Sequence, residues 1–456
     1  MELTSINRVY SILIATAVTI AVLSVFLFAR AGVSIGVIVV MALYLFSGKF
    51  SFKDLRQNRS LFYLFLAGII INIQMIYVMV INQEFMAKSL FGFSNPILVV
   101  IYILALIHFL SRNIKVRNWL INFFIIVVSV FVIVSLIAYV YRYMHDAGFI
   151  ISDFYKGVRG GSVMQSVVAI SLPIVSIMLL IKVGCLKNII SKILLVSLVI
   201  TIVFVDLFAN RSKAGYLIEF AAFIYFALFL VRRYAHQNNY SFRRLLYMIM
   251  VTVLVILTLL VGTYRYSSVF NDRTTETYKE MTVFFDSHNN KQVVAEDLGL
   301  ASTQLRLLYY YSSIKVLQKY PTVFVFGCGY GTNKLDVKEC TSQLIERSDE
   351  LRANNSVLNG GIMPHDEFLS YVFRGGIIAG AMLLMFFVML FYEAKYLSQD
   401  TRACLRILAI SFFIGCAFDY FITVQMTVFI FATLLGIFLS ERKFEGCGAS
   451  NKAMSK

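Results

Sequence analysis

The sequence predicts an all-α polytopic membrane protein of about twelve transmembrane helices with one large, partly helical external loop, and three observations carry that prediction. Of 456 residues, 59% are hydrophobic and 14% charged, where soluble domains hold about 45–50% apolar and about 25% charged residues. The apolar excess is gathered into uncharged runs of about 18 residues or more, long enough to cross a bilayer as helices. Between the runs, Lys and Arg collect on alternate connections, as they do on short cytoplasmic loops. The composition excludes an ordinary soluble domain. Four prolines and 25 glycines without a period exclude a proline-rich or collagen-like scaffold.

Nine runs precede a polar stretch, at 10–29, 31–48, 61–81, 94–111, 119–141, 162–182, 189–208, 213–231 and 245–263, and three follow it, at 368–392, 405–422 and 424–440. None alternates with a period of two, and a helix pairs every backbone N–H and C=O within its own segment, as hydrocarbon demands. The second and the last two runs are short, with tight connections. Ala29-Arg30-Ala31 resembles a secretory cleavage site. The run before it is longer than a usual signal core, and its loss would break the charge alternation, so it is expected to be kept.

Basic clusters fall within 49–59, 112–117, 182–187, 232–244 and 395–406, with Arg8 near the start and Arg442, Lys443, Lys452 and Lys456 at the end. The intervening connections hold fewer: Arg30, Lys88, Arg142, Lys156, Arg159, Arg211 and Lys213. Both termini are therefore expected in the cytoplasm. The chain divides into helices one to nine over 1–263, a large external loop over 264–366, helices ten to twelve over 367–440 and a cytoplasmic tail over 441–456. The net charge of +16 is on this reading a topology signal; it implies membrane lipids and no nucleic acid as partner.

The loop is where chemistry is expected, and a structureless stretch of about a hundred residues is improbable in a compact protein. Ser302 to Lys319 reads as an amphipathic helix with Leu305, Leu308, Ser312 and Val316 on one side, stopped by Pro321. Thr341 to Arg352 reads as a shorter, charged helix. Cys328 and Cys340 are the two cysteines of this loop; in an oxidising compartment they can close a disulfide, or stand as two free thiols.

Among five histidines, His365 sits where the loop re-enters the membrane, in Met363-Pro364-His365-Asp366-Glu367. A titratable base there can meet both a lipid-linked substrate and water-borne groups, while a histidine merely capped at a helix start is the plainer alternative. Arginines matter because an external enzyme without nucleotides must take activated groups from lipid carriers, and guanidinium binds pyrophosphate oxygens bidentately. Arg211 in Asn210-Arg211-Ser212, Arg306 on the loop helix and Arg159 before Gly160-Gly161 are the candidates, each weighed against a snorkelling or solvated arginine. Arg374 falls inside the tenth run, where a charge defaults to a functional hypothesis. Phe326-Gly327-Cys328-Gly329-Tyr330-Gly331 lacks the Lys-Ser/Thr of a nucleotide loop; its glycines suit close backbone approach, or amides offered to an anion. No Cys/His cluster has zinc spacing and no Asp-x-Asp occurs in the loop, so neither a metal nor a cofactor is expected.

The amphipathic helix with Arg306, then Pro321, Gly327-x-Gly329-x-Gly331, and Pro364-His365 leading into Gly375-Gly376 resembles the O-antigen ligase family in order and placement. Asn210-Arg211-Ser212 before the eighth span and Arg159 before the sixth extend the likeness. The resemblance implies a GT-C-like architecture in the bacterial inner membrane with the large loop in the periplasm. It implies transfer of O-antigen glycan from undecaprenyl pyrophosphate to a sugar hydroxyl of lipid A–core, completing lipopolysaccharide without metal and with inversion. His365 matches the family histidine proposed to deprotonate the acceptor; Arg211 and Arg306 match arginines thought to bind pyrophosphate, with Arg159 beside them. Asp366 and Arg374 are possible supporting residues.

The sequence departs from the family pattern at two places. Asp366 stands where Asn, Ser or Gln is usual, and Ala379 where Gly, Thr or Tyr is usual. Asp366 could stabilise a protonated His365 or simply cap the helix. His288-Asn289 with Gly299 fits the short motif too, but polar sequence follows it and not a span. The rival readings are an O-antigen polymerase or other superfamily transferase, such as a protein O-oligosaccharyltransferase, and a lipid-linked oligosaccharide flippase. Polymerases tend to have two large external loops, and a flippase would carry inverted repeats and midplane charges.

Overall fold

The computed structural model describes residues 2–27, 29–48, 50–82, 92–144, 161–209, 213–237, scattered positions between 243 and 282, and residues 302–328, 341, 366–418, 421 and 424–442. Among these the regular structure is helical. In chain order the helices are α1 (Glu2–Phe26), α2 (Arg30–Phe46), α3 (Phe52–Gln57), α4 (Arg59–Asn82), α5 (Pro96–Leu110), α6 (Ile114–Met144), α7 (Gly161–Cys185), α8 (Ile189–Ala209) and α9 (Lys213–Gln237). After the scattered positions come α10 (Ser302–Lys319), α11 (Pro321–Phe326), α12 (Glu367–Glu393), a 3-10 turn (Ala394–Tyr396), α13 (Gln399–Phe418) and α14 (Gln425–Leu439).

Eight of these helices are long and apolar enough to cross a membrane, and Ala31–Phe46, Pro96–Leu110 and Gln425–Leu439 are shorter apolar ones. Eleven of the twelve expected runs thus coincide with a described helix, and the protein is an all-α, multi-pass membrane protein. The ninth run, 245–263, is helical at each position described. Hydroxyls within the runs stay compatible with lipid by bonding back one turn, as Thr16 to the Ile12 carbonyl (3.0 Å) and Thr19 to that of Ala15 (2.7 Å) do.

Polar caps set the helix starts. Asn95 precedes Pro96, whose missing N–H costs nothing at a first helical position, and its Oδ1 accepts from the Ile97 N–H at 3.1 Å. The same residue exchanges two hydrogen bonds with Asn72 of α4, at 3.0 and 2.9 Å, the cross-helix polar pairing that supplements van der Waals contact in membranes.

The bundle is organised around α14. All of Met426–Leu439 is buried, packed on α5, α7 and α13 with α1 and α2 beside them. Its Phe431 stacks on Phe412 of α13, and Tyr102 of α5 bonds Thr433 at 3.0 Å. On another side, α12 packs along α4 and against α13.

The helix ends that the charge alternation assigns to one side do meet. Glu393 accepts from the Ser60 N–H (3.3 Å) and hydroxyl (2.6 Å) and pairs with Arg442 at 3.6 Å. Arg233 pairs with Asp400 at 2.6 Å and Arg117 with Glu441 at 3.9 Å. Ser34–Gln425 (2.8 Å), Asn72–Asn95 and Tyr310–Ala417 tie the other end.

Candidate active site

Asp366 opens α12. Its extended backbone (φ −153°, ψ 119°) leaves Oδ1 free to accept from the Leu369 N–H at 3.0 Å, so the plainer expectation for it, a helix cap, is met. Its other oxygen is also engaged: the Tyr310 hydroxyl of α10 lies 2.9 Å from Oδ2, and the same hydroxyl donates to the Ala417 carbonyl at the end of α13. One phenol therefore joins the loop helix to two membrane helices. Burial raises the Asp366 carboxyl above its ordinary range, and bonds from Leu369, Tyr310 and Phe368 pull it partly back. The Tyr310 phenol is likewise raised, first by burial and then by Asp366, against the lowering influence of Arg306. Arg306 stands one turn before Tyr310 on α10, partly exposed and within electrostatic reach of this pair. On the buried side of the helix, Ser312 and Val316 occupy the positions assigned to its inner face. Leu305 and Leu308 lie in the helix, but their side chains fall outside the described residues.

Nine residues further along, α12 breaks. Gly375 (φ −139°, ψ 16°) and Gly376 (φ 75°, ψ −178°) leave the helical region, and the end of α11 fills the gap. A Cβ on Gly376 would stand 1.9 Å from the Val325 carbonyl oxygen; one on Gly327 (φ 78°) would stand 2.7 Å from backbone atoms of Arg374, Gly375 and Gly376. No residue with a side chain fits either place. The Cys328 N–H donates to the Phe373 carbonyl at 2.6 Å, satisfying a group that the break has freed. Close backbone approach is thus the use of Gly327, one of the two expected for the glycine run. Cys328 is disulfide-bonded; Cys340, its expected partner, lies outside the described residues.

Arg374 ends the first half of α12. It is 1% exposed, and its Nε and Nη2 have no hydrogen-bond partner among the described residues. Ser370 and Tyr371, one turn back, are equally buried and also unpartnered at their hydroxyls among the described residues. Tyr371 interacts electrostatically with Arg374 and with Glu367, the buried acid of the first turn. A permanent cation inside an apolar run is costly, and Arg374 keeps two guanidinium nitrogens without a hydrogen-bond partner among the described residues.

Of the site residues expected from sequence, Arg306, Asp366 and Arg374 are described. The first two come together through Tyr310, and Arg374 sits two turns deeper on the helix that Asp366 caps. His365 immediately precedes Asp366, but it lies outside the described residues, as do Arg211, Arg159, His288-Asn289 and all but the first residue of 341–352. Among the described residues no three His, Cys, Asp or Glu gather where a metal could sit.

Three residues that the structure brings forward were not singled out from the sequence. Tyr310 is one, and its position one turn after Arg306 was the available signal. Asp206 of α8 and Glu219 of α9 are the others, both buried and interacting with each other, five residues before and eight residues after Arg211 in the sequence. As charges inside apolar runs they fall under the rule that singled out Arg374.

No curated protein matches the chain. The sequence model of the O-antigen ligase family matches residues 196–384, which run from α8 through α9, α10 and α11 into α12 and take in the capped helix start, the tyrosine bridge and the interlocked glycines. Residues 196–384 are therefore similar to the O-antigen ligase family, the family whose motif order the sequence resembles.

Proposed function

We propose that this protein transfers a glycan from undecaprenyl pyrophosphate to a sugar hydroxyl of lipid A–core. The family segment and the membrane bundle carry the coarser statement, that the chain belongs with the membrane-embedded glycan transferases of the O-antigen ligase/polymerase superfamily. What supports the finer one is the Tyr310 hydroxyl on Asp366. It holds the helix of Arg306, a residue suited to pyrophosphate, against the start of α12, where His365 is next in the chain. In the proposed step the acceptor oxygen attacks the anomeric carbon as His365 takes its proton. The bond from that carbon to the phosphate oxygen breaks, and the electron pair leaves on undecaprenyl pyrophosphate. Arg211, Arg306 and Arg159 stabilise the negative charge growing on the pyrophosphate oxygens, and guanidinium does so without itself titrating. Asp366 fixes the helix start, and Arg374 adds positive potential from below. A single displacement inverts the anomeric centre.

The basic clusters support an orientation with both termini in the cytoplasm and 264–366 in the periplasm of a Gram-negative inner membrane. The test is the lipopolysaccharide of cells lacking the protein, complemented with wild type or His365→Ala, beside the carrier-linked glycan. Bare core with long glycan accumulating on the carrier, unrelieved by His365→Ala at normal expression, is expected. Accumulation of single repeat units, or core capped with one unit, would make the protein a polymerase.

A further inference from the structure

Between α10 and α12 the chain is fixed to the membrane bundle at a level that can be counted. α11 packs along α12, its Val325 carbonyl lies against Gly376, and Cys328 is bonded to Phe373. At the far end of α12, Lys395 lies over the Tyr392 ring at 3.6 Å, a pairing suited to headgroup level. A hydrocarbon core of about 30 Å corresponds to about 20 helical residues, which counts back from Tyr392 to Val372. Gly376 then lies about 6 Å inside the core on the α10 side, and Val325 and Phe326 lie with it.

The side chains agree with that level. In α11 only Val323 is buried, while Phe324, Val325 and Phe326 are exposed, Phe326 by 61%. Ile377 and Ile378 follow Gly376 directly and are exposed too, Ile378 by 52%, as residues of a spanning helix that face lipid. The apolar surface of α11 therefore continues the lipid-facing surface of α12. The backbone agrees as well, since amides carried into hydrocarbon must be paired within the protein. The Val323 and Phe324 N–H groups reach the Tyr320 carbonyl at 2.9 and 3.3 Å, and that of Gly327 reaches Val323 at 2.8 Å.

We infer that Pro321–Phe326 is a re-entrant segment that dips into the leaflet on the α10 side, with Phe324, Val325 and Phe326 against bilayer acyl chains. It belongs to the membrane domain although flanked on both sides by loop sequence. Its seat on α12 holds α10, and Arg306 with it, at the height of lipid phosphates. The inference stands apart from which glycan is transferred.

Trp119 is the one tryptophan of the chain, so fluorescence can test it on the full-length protein. In a Trp119→Phe background, Phe324→Trp and Phe326→Trp are made separately and reconstituted into phosphatidylcholine vesicles. The acyl chains are unlabelled, brominated near the headgroup or brominated near the bilayer centre. Both positions point away from the protein core, so indole is accommodated. Blue-shifted emission is expected, quenched most by the shallow bromines and little by aqueous acrylamide. Quenching by acrylamide with no response to brominated chains, or equal weak responses to both, puts the segment in water or at the headgroups and overturns the inference. Quenching strongest from the bilayer centre overturns the shallow placement.

Discussion

Replacing Gly376 by alanine tests the joint between the loop and the membrane bundle. The new Cβ would stand 1.9 Å from the Val325 oxygen, 2.5 Å from the Val325 carbonyl carbon and 2.9 Å from the Phe326 nitrogen. All three are backbone atoms, so no side-chain rotation relieves the clash, and α11 must retreat by more than an ångström. The φ of 75° with ψ of −178° is open essentially to glycine alone and costs another residue about 1–3 kcal/mol. Retreat of α11 also breaks the Cys328–Phe373 bond, worth about 0.5–1.5 kcal/mol. The expected loss is about 2–4 kcal/mol, read as earlier thermal exposure of Cys404 and Cys416, both free and buried, to a thiol-reactive dye. Gly184→Ala is the control: its Cβ would meet nothing within 4 Å, and helical alanine gains up to about 1 kcal/mol over glycine. Gly327→Ala attacks the same joint from the other strand, so the double variant should cost little more than either single one, the mark of coupled sites. If Gly376→Ala melts with wild type and keeps full glycan transfer, the interlock is refuted.

Three further outcomes follow from the site. Tyr310→Phe removes the donor shared by Asp366 and Ala417 and should cost about 1–3 kcal/mol, with glycan transfer reduced at unchanged protein level on immunoblots. Asp366→Asn keeps a capping oxygen but not the titration. Because burial raises the native carboxyl, its stability contribution is complete below the ordinary aspartate value and is lost as pH rises through the native one. Wild type should therefore lose stability relative to Asp366→Asn over that window, and parallel melting curves across pH would contradict this. Arg374→Met removes the buried cation and should lower glycan transfer at unchanged protein level on immunoblots. A collapse of stability instead would make Arg374 a structural residue.

Hydrophobic run length located the spans well because lipid sets the length of a helix and excludes charge from it. The loop helix was legible down to its bounds, since Pro321 stops it and Ser312 and Val316 keep a helical period. The break at Gly375-Gly376 was not legible as a break: both halves of α12 are apolar, so hydropathy runs across it, and only the partner backbone at Gly327 explains it. Tyr310 was hidden in Tyr309-Tyr310-Tyr311, where three like residues point three ways and packing alone decides which hydroxyl meets Asp366. Asp206 and Glu219 were hidden because one acid per span barely lowers a twenty-residue average.

The enclosure of α14 has a consequence for how the protein is made. The other described helices precede it in the chain, yet it fills the axis about which α5, α7 and α13 are arranged. Until residues 425–439 leave the ribosome, those helices can insert but have only lipid where their inner surfaces belong. The bundle therefore matures in one late event, and chains stopped short of α14 present an unclosed shell, a form that membrane quality control can tell from the finished protein.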